Sequence, residues 1–437
     1  MAKESIDQTK NILTAVIATI LLTTIISIFY TVLSPIIYKG TNISGFFYSI
    51  AQFLGLMGFL GIFLLIFTGD TARFFDKYYG IDKIIKTQRK FAIFTYFIVF
   101  SHPIFFILSN ISYINNILPN FKALPLAFGT ISLYIFAGIM ISSLSYKKIS
   151  YKVWQYLHIL TYILFITIWY HAFNNGSSIS SPTIKIIFYI TPILVAIGAI
   201  YRTNYKIKQR KNEFILKNIE QETEDTFTLV VETKQKISFK PGQFFFLKLD
   251  NRKLYARHPF SVSSSPSEKN LCFTIKLSGR FTQEALKLKP GDEIKIEGPF
   301  GNFIIDGENK DLVFIAGGVG ITPFMSMIKE NQNKEAKYNI ILFYSSKTEK
   351  DIIFKKQLDL IKENWFKKKY IITRENIKKQ DYESGRINKA MLIKHIQDFK
   401  NKKFYICGPQ KMNHSVSQIL REQGVKKTDI ISEDFFW

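Results

Sequence analysis

Six long apolar runs fill the first half of the chain, near residues 11–36, 46–68, 91–109, 124–145, 153–173 and 184–201. Most reach the roughly 20 residues that a helix needs to cross a bilayer. The last is the weakest, because Lys185 and Pro192 interrupt it. The first is too long for a signal-peptide core, and "MAKESIDQTK" ahead of it lacks a clean basic start. It is read as a retained membrane helix. The pattern predicts a six-helix all-α transmembrane bundle over residues 1–204.

From about residue 213 the period changes. "FTLVVET", "QFFFLKL" and "LCFTIKL" are short β runs parted by turn signals such as "KPGQ" and "KPGD". They predict an antiparallel β-barrel over residues 205–308. "DLVFIAGGVGITPFMSMIK" then joins an apolar strand, a glycine-rich turn and a helix. "YNIILFYSS", "KKYIITR" and "KKFYICG" follow, alternating with helical patterns. That alternation predicts an α/β Rossmann-like domain, a doubly wound parallel sheet, over residues 309–437.

Composition fits this division. The 437 residues are 47% hydrophobic, yet the formal net charge is +24. The two coexist if apolar residues and charges occupy different halves. Lys and Arg also distribute unequally between the short loops. Arg73, Lys77, Lys83, Lys86, Arg89 and Lys90 precede the third run; Lys147, Lys148 and Lys152 precede the fifth; Arg202, Lys206, Lys208, Arg210 and Lys211 follow the sixth. The opposite loops offer Lys39, Lys122 and Lys185. Positive charge stays inside, so both termini and the second half are expected in the cytoplasm. Topology thus accounts for much of the basic charge, and no nucleic-acid motif accompanies it, so no nucleic-acid partner is expected. Two cysteines, Cys272 and Cys407, exclude a disulfide framework and a CxxC metal site.

Candidate chemistry lies in both halves. Gly317, Gly318 and Gly320 would let the backbone approach a pyrophosphate at the amino end of a helix; a plain tight turn is the competing reading. In the apolar runs stand three histidines, His102, His158 and His171. Ionisable residues inside membrane helices are costly and point to function. His171 lies thirteen positions after His158, about 20 Å along a helix axis, at the expected depth of His102. Two neutral imidazoles facing each other across a bundle suit the axial positions of a haem. The other reading is a pair of packing histidines bonded to neighbouring carbonyls.

"HPFSVSSSP" (258–266), "GRFTQEAL" (279–286), "EGPFGNF" (297–303), "GGVGITPF" (317–324) and "CGPQKM" (407–412) occur in that order, before the ending "EDFFW". Over roughly 213–437 the chain closely resembles the ferredoxin-NADP reductase superfamily. The resemblance implies FAD on the "HPFS" stretch, with Phe260 against the isoalloxazine, Ser261 bonded to its N5 and Pro259 between His258 and Phe260. His258 stands where many soluble members have an arginine for the FAD pyrophosphate; a histidine there is similar to NADPH oxidases and ferric reductases. Gly279 and Thr282, with the helix they open, would hold the pyrophosphate from the other side. Gly317, Gly318, Gly320 and Thr322 would receive the nicotinamide dinucleotide. Cys407, Gly408 and Pro409 would lie beside the nicotinamide, and Trp437 would stack on the flavin. Ser345, Ser346 and Lys347, with Arg374, offer a site for a 2′-phosphate, so the lean is to NADPH over NADH.

Residues 45–200 resemble the ferric reductase transmembrane domain shared by ferric reductases and NADPH oxidases. That domain carries two histidines on each of two helices, for two stacked haems. Fourteen positions before His102, where the fourth is expected, stands Gln88 in "TQRKFAIFTYFIVFSHP". A neutral amide is a poor ligand for haem iron. The inner haem, beside His158, is then absent, five-coordinate, or completed by another group such as Lys86 or water. The resemblance implies a plasma-membrane flavocytochrome that moves electrons from cytosolic NAD(P)H through FAD and b-type haem to an outer-side acceptor. That acceptor is ferric iron in a chelate, or oxygen giving superoxide. Oxygen-reducing relatives tend to keep a further histidine one turn past the outer ligand; here Phe105 and Phe106 stand there, which favours the ferric-reductase role. A flavoprotein serving a quinone or membrane partner without a full haem relay is the rival.

Overall fold

A computed structural model describes residues 2–145, 148–149, 151–209, 213–235, 237–249, 256–307 and 310–434. The chain divides into two units, Met1–Lys208 and Gln209–Trp437.

The first unit is helical. Its elements are α1 (Ala2–Lys39), α2 (Ile43–Asp70), α3 (Ala72–Tyr79), α4 (Ile81–Ser109), α5 (Leu124–Leu144), α6 (Tyr151–Asn175) and α7 (Pro182–Gln209). All but α3 are long and apolar enough to span a membrane. The basic residues ahead of the third run are helical rather than looped: Arg73 and Lys77 ride on α3, and Lys83 to Lys90 form the first turns of α4. Pro192 is accommodated within α7.

Small residues set the packing. Antiparallel α2 and α4 approach along Gly55, Gly58 and Gly61. A Cβ on Gly58 would lie 2.8 Å from Val99 Cγ2, and one on Gly61 2.8 Å from Thr95 Cγ2. Hydrocarbon offers little hydrophobic drive between helices, so such close van der Waals approach is what joins them. Phe59 of α2 stacks on Phe188 of α7 at 4.6 Å and on Phe165 of α6 at 5.8 Å. Ser132 of α5 donates to Thr167 of α6 at 2.7 Å.

The second unit begins with β1 (Phe214–Thr223), β2 (Thr226–Thr233), β3 (Phe244–Lys248), β4 (His258–Ser261), β5 (Leu271–Lys276), α8 (Arg280–Leu286) and β6 (Lys295–Phe300). The strands form two three-stranded antiparallel sheets, β1-β2-β5 and β4-β3-β6. Single bridges, Ile215 with Glu293 and Val262 with Phe273, join them. The ring of strands expected from the sequence is therefore not continuously hydrogen-bonded among the described residues. Phe227, Phe245, Phe273 and Ile275 fill its core.

There follow β7 (Asp311–Gly317), α9 (Thr322–Asn333), β8 (Ile340–Ser346), α10 (Lys355–Leu360), β9 (Phe366–Ile372), β10 (Tyr382–Ser384), α11 (Lys389–His395), β11 (Lys402–Gly408), α12 (Gln410–Glu422) and β12 (Ile430–Asp434). Their parallel sheet runs β10-β9-β8-β7-β11-β12. Both faces are covered, which is why β7 reads as a continuous apolar run. Leu312, Phe314 and Ala316 pack with α9 and α10, whereas Val313 and Ile315 pack with α11 and α12. Each large buried side chain contributes roughly 2 kcal/mol by leaving water.

Candidate functional site

The order of the sheet reverses between β7 and β11, and ligands of open α/β sheets bind at such a switch point, beyond the strands' carboxyl ends. Gly317 ends β7 and Gly408 ends β11. A Cβ on Gly408 would lie 3.1 Å from Gly317 Cα, and one on Gly320 only 2.1 Å from the Cys407 carbonyl oxygen. Glycine is thus required because two backbones touch. Gly318 has φ +55, a left-handed conformation, and open space where a Cβ would stand. Thr322 opens α9 and donates to Val319 O at 2.7 Å. Cys407 is buried, and Pro409 is exposed beyond it. Lys347 is exposed at the same end of the sheet, two positions past Ser345, which pairs with Gly317. Arg374 N donates to Lys347 O at 2.9 Å, so those two basic residues are neighbours.

The "HPFS" residues form β4, half-buried from His258 to Phe260 and buried at Ser261. The Ser261 hydroxyl makes no hydrogen bond among the described residues, so it is available to a ligand. Phe281 of α8 lies between His258, at 4.2 Å, and Phe260, at 5.7 Å. That contact brings the start of α8 beside β4. Thr282 accepts from Ser278 N and Gly279 N and donates to Gly279 O. Its hydroxyl therefore shapes the loop ahead of α8. Burial pushes His258 below its usual pKa. Trp437 lies outside the described residues.

Two of the three membrane histidines meet. His102 of α4 and His171 of α6 have ring centroids 6.5 Å apart with planes at 83°. His102 Nδ1 lies 2.7 Å from Ala51 O, and His171 Nδ1 2.8 Å from Pro125 O. A carbonyl only accepts, so each Nδ1 carries the proton and each Nε2 keeps its lone pair. Glycines make room: a Cβ on Gly55 would be 2.5 Å from His102 Cε1, and one on Gly129 2.5 Å from His171 Nδ1. An ion bound between two imidazoles at about 2 Å each separates ring centroids by roughly 6 Å. No group of three or more His, Cys, Asp or Glu gathers among the described residues. Two neutral imidazoles, each with an unprotonated Nε2, are a donor set that would suit a haem iron.

The third histidine stands apart. Thirteen residues rotate a helix so that His158 and His171 differ by about 140°. His158 stacks on Trp154 of its own helix at 4.4 Å. Gln88 donates from Nε2 to Thr68 Oγ1 of α2 at 2.8 Å, and Gly69 gives it space. One turn beyond His158, Tyr162 donates to both oxygens of buried Asp70, at 2.8 and 2.9 Å. Arg202 of α7 meets the same carboxylate at 2.9 Å. Sequence reading missed this cluster, although an acid closing an apolar helix and an arginine within another are its signal. It also missed the glycine spacing of "GLMGFLG" (55–61), which marks the face against the histidine helix.

Comparison with known proteins agrees with this division. A ferric reductase like transmembrane component model matches residues 54–169, an FAD-binding domain model 211–303 and an oxidoreductase NAD-binding domain model 314–418. The chain belongs to the ferric reductase/NADPH oxidase-like fusions, a membrane component joined to a ferredoxin-NADP reductase-type FAD/NAD(P) module. It is a multi-pass membrane protein, and its second unit carries an FAD-binding domain and an oxidoreductase NAD-binding domain. It is similar to the gamma component of sulfhydrogenase 1 of Pyrococcus furiosus, 33% identical over 46% of this chain and 69% of that one. It is also similar to one component of the Na(+)-translocating NADH-quinone reductase of Marinomonas, 27% identical over 44% of this chain. The chain spans about half, 51%, of that relative's length. Among solved structures, a ferredoxin NADP+ reductase of Neisseria gonorrhoeae superposes with TM-score 0.47 and 23% identity, over 52% of this chain and 98% of that one.

Proposed function

We propose that this protein is a ferric-reductase-like membrane flavocytochrome. Electrons from cytosolic NAD(P)H would cross the plasma membrane through FAD and one b-type haem to a ferric chelate outside. The observation that carries this reading is the His102–His171 pair, with both Nδ1 atoms held by carbonyls. Bound FAD supplies the exchange between a two-electron hydride donor and one-electron acceptors, and bound haem supplies one-electron carriage. The protein's own residues position and exclude. Ser261 offers its hydroxyl, the glycines at the switch point admit the dinucleotide, and Lys347 with Arg374 supplies charge for a 2′-phosphate. Basic residues on α3 and α4 support a cytoplasmic flavin module.

Around His102 the surroundings are aromatic. Phe106 lies 5.0 Å from its ring and packs on Tyr48 and Tyr113; Phe105 packs on Phe47. Phe105 and Phe106 thus fill the turn past His102 where oxygen-reducing relatives tend to keep a further histidine, which supports the ferric chelate over oxygen as acceptor. Purified full-length protein, reduced with NADPH without oxygen, tests the whole reading. A b-type Soret shift followed by reoxidation with ferric chelate is expected. Reduction of flavin with no b-type band would leave the rival, a flavoprotein serving a quinone or membrane partner.

The Gln88–Thr68 bond supports a single haem. Gln88→His supplies the missing imidazole, and the haem-to-flavin ratio is expected to rise; an unchanged ratio overturns this assignment of the inner position.

His258 gives a pH signature. Its folded pKa lies below the unfolded 6.5 because burial disfavours the cation. As pH falls below 6.5 the unfolded chain gains this proton first, so the flavin-free module loses stability until pH passes the folded value. A bound pyrophosphate favours the cation, so FAD binding takes up a proton and tightens as pH falls through that window. Flavin fluorescence titrations between pH 5 and 8 should show this slope, and His258→Gln should remove it.

A further inference from the structure

The stretch "HPFSVSSSP" continues past the flavin strand into three buried serines. Ser263, Ser264 and Ser265 are 1%, 0% and 0% exposed. Buried hydroxyls need partners, and these have them on two sides. Toward the flavin sheet, Ser263 donates to Cys272 O at 3.2 Å, and Ser264 Oγ accepts from Cys272 N at 3.0 Å. Toward the nucleotide lobe, Ser264 O accepts from the hydroxyl of Ser326, itself 0% exposed, at 2.6 Å. The carboxylate of Glu330, one turn further along α9, accepts from Ser265 and, at 3.0 Å, from Ser267. Lys334 fixes the other oxygen of Glu330 at 2.7 Å.

The lever arms are short. Ser264 is three residues beyond Ser261, about 10 Å of extended chain. Ser326 is four residues beyond Thr322, about 6 Å of helix. We propose that Ser326 and Glu330 are positioning residues for hydride transfer. They bind the serine extension of the flavin strand to the second and third turns of the nucleotide helix, and so fix the distance between the two reacting rings. This rests on the assignment of FAD to β4 and nicotinamide to the switch point. Neither residue touches a reacting atom; each acts through the backbone it holds. A buried hydroxyl and a carboxylate hold a distance better than apolar packing does, because hydrogen bonds are directional.

The test uses the full chain in detergent, with Ser326→Ala, Glu330→Ala and the conservative Glu330→Gln. Anaerobic stopped-flow follows flavin reduction at saturating NADPH, alongside flavin content and NADPH affinity. Each alanine variant is expected to slow reduction about tenfold, with affinity changed less than about twofold. The isotope effect with 4-deuterated nucleotide should become more temperature-dependent, which a merely stabilising contact would not cause. Glu330→Gln keeps an acceptor oxygen and should recover most of the rate. Rates and isotope effects equal to wild type in both flavin-loaded alanine variants overturn the proposal. If Ser326→Ala fails to hold flavin, the Glu330 pair decides: a slowed alanine variant rescued by glutamine supports it, and equal rates overturn it. A wild-type flavin that NADPH does not reduce refutes the site assignment instead.

Discussion

His171→Ala should abolish the b-type haem spectrum of the purified protein while flavin content stays at the wild-type level. Few protein atoms are in question. His102 and His171 face each other with planes at 83°, and each presents one Nε2 lone pair because Nδ1 is committed to a carbonyl. Removing one imidazole leaves iron with a single protein ligand, and no other His, Cys, Asp or Glu cluster among the described residues offers a replacement. Haem content, measured as the pyridine haemochrome against flavin, should fall to below about a tenth, since two axial ligands act as one unit. NADPH should still reduce the flavin, and ferric chelate reduction should be lost. An intact Soret band in this variant would show that the pair is packing only.

Gly320→Ala should cripple the nucleotide side and spare the membrane side. The new Cβ would lie 2.1 Å from Cys407 O and 2.6 Å from Cys407 C. Both are backbone atoms of β11, held in register with β7 and β12. Neither can rotate away, so the loop must shift by about 1 Å. A displacement of that size in a positioning element costs about a hundredfold in rate. Overpacking itself costs roughly 1–3 kcal/mol of stability. Stopped-flow flavin reduction at saturating NADPH measures the first, and thermal unfolding of the detergent-solubilised protein measures the second. A rate within about threefold of wild type would place the nucleotide away from this loop.

These cases differ in how far the chain announced them. The glycine turn was legible because strand, turn and helix are consecutive, and local pattern carries such a unit. Why Gly320 must be glycine was not legible, since its obstacle is the carbonyl of residue 407. The facing of His102 and His171 was an expectation from helix depth, and depth says nothing about rotation. His158 shows the difference: it is thirteen residues from His171 on the same helix, yet about 140° around it. The buried serines of "SVSSSP" stood in view as the tail of the flavin motif, but nothing local marks their partners, Ser326 and Glu330, on a helix sixty residues later.

By itself the sequence determined what depends on composition and period: six membrane-spanning helices, a β module, a parallel α/β sheet, and the ordered motifs for FAD and dinucleotide. Apolar length and strand period are local, and burial follows from them. Only the tertiary structure decided the pairings: Gly55 and Gly129 behind the histidine rings, Gln88 on Thr68, Asp70 with Tyr162 and Arg202, and the serine seam on α9. Each joins residues far apart in the chain through contacts of a few ångströms. Their geometry is set by how helices rotate and sheets order, and no local period encodes either.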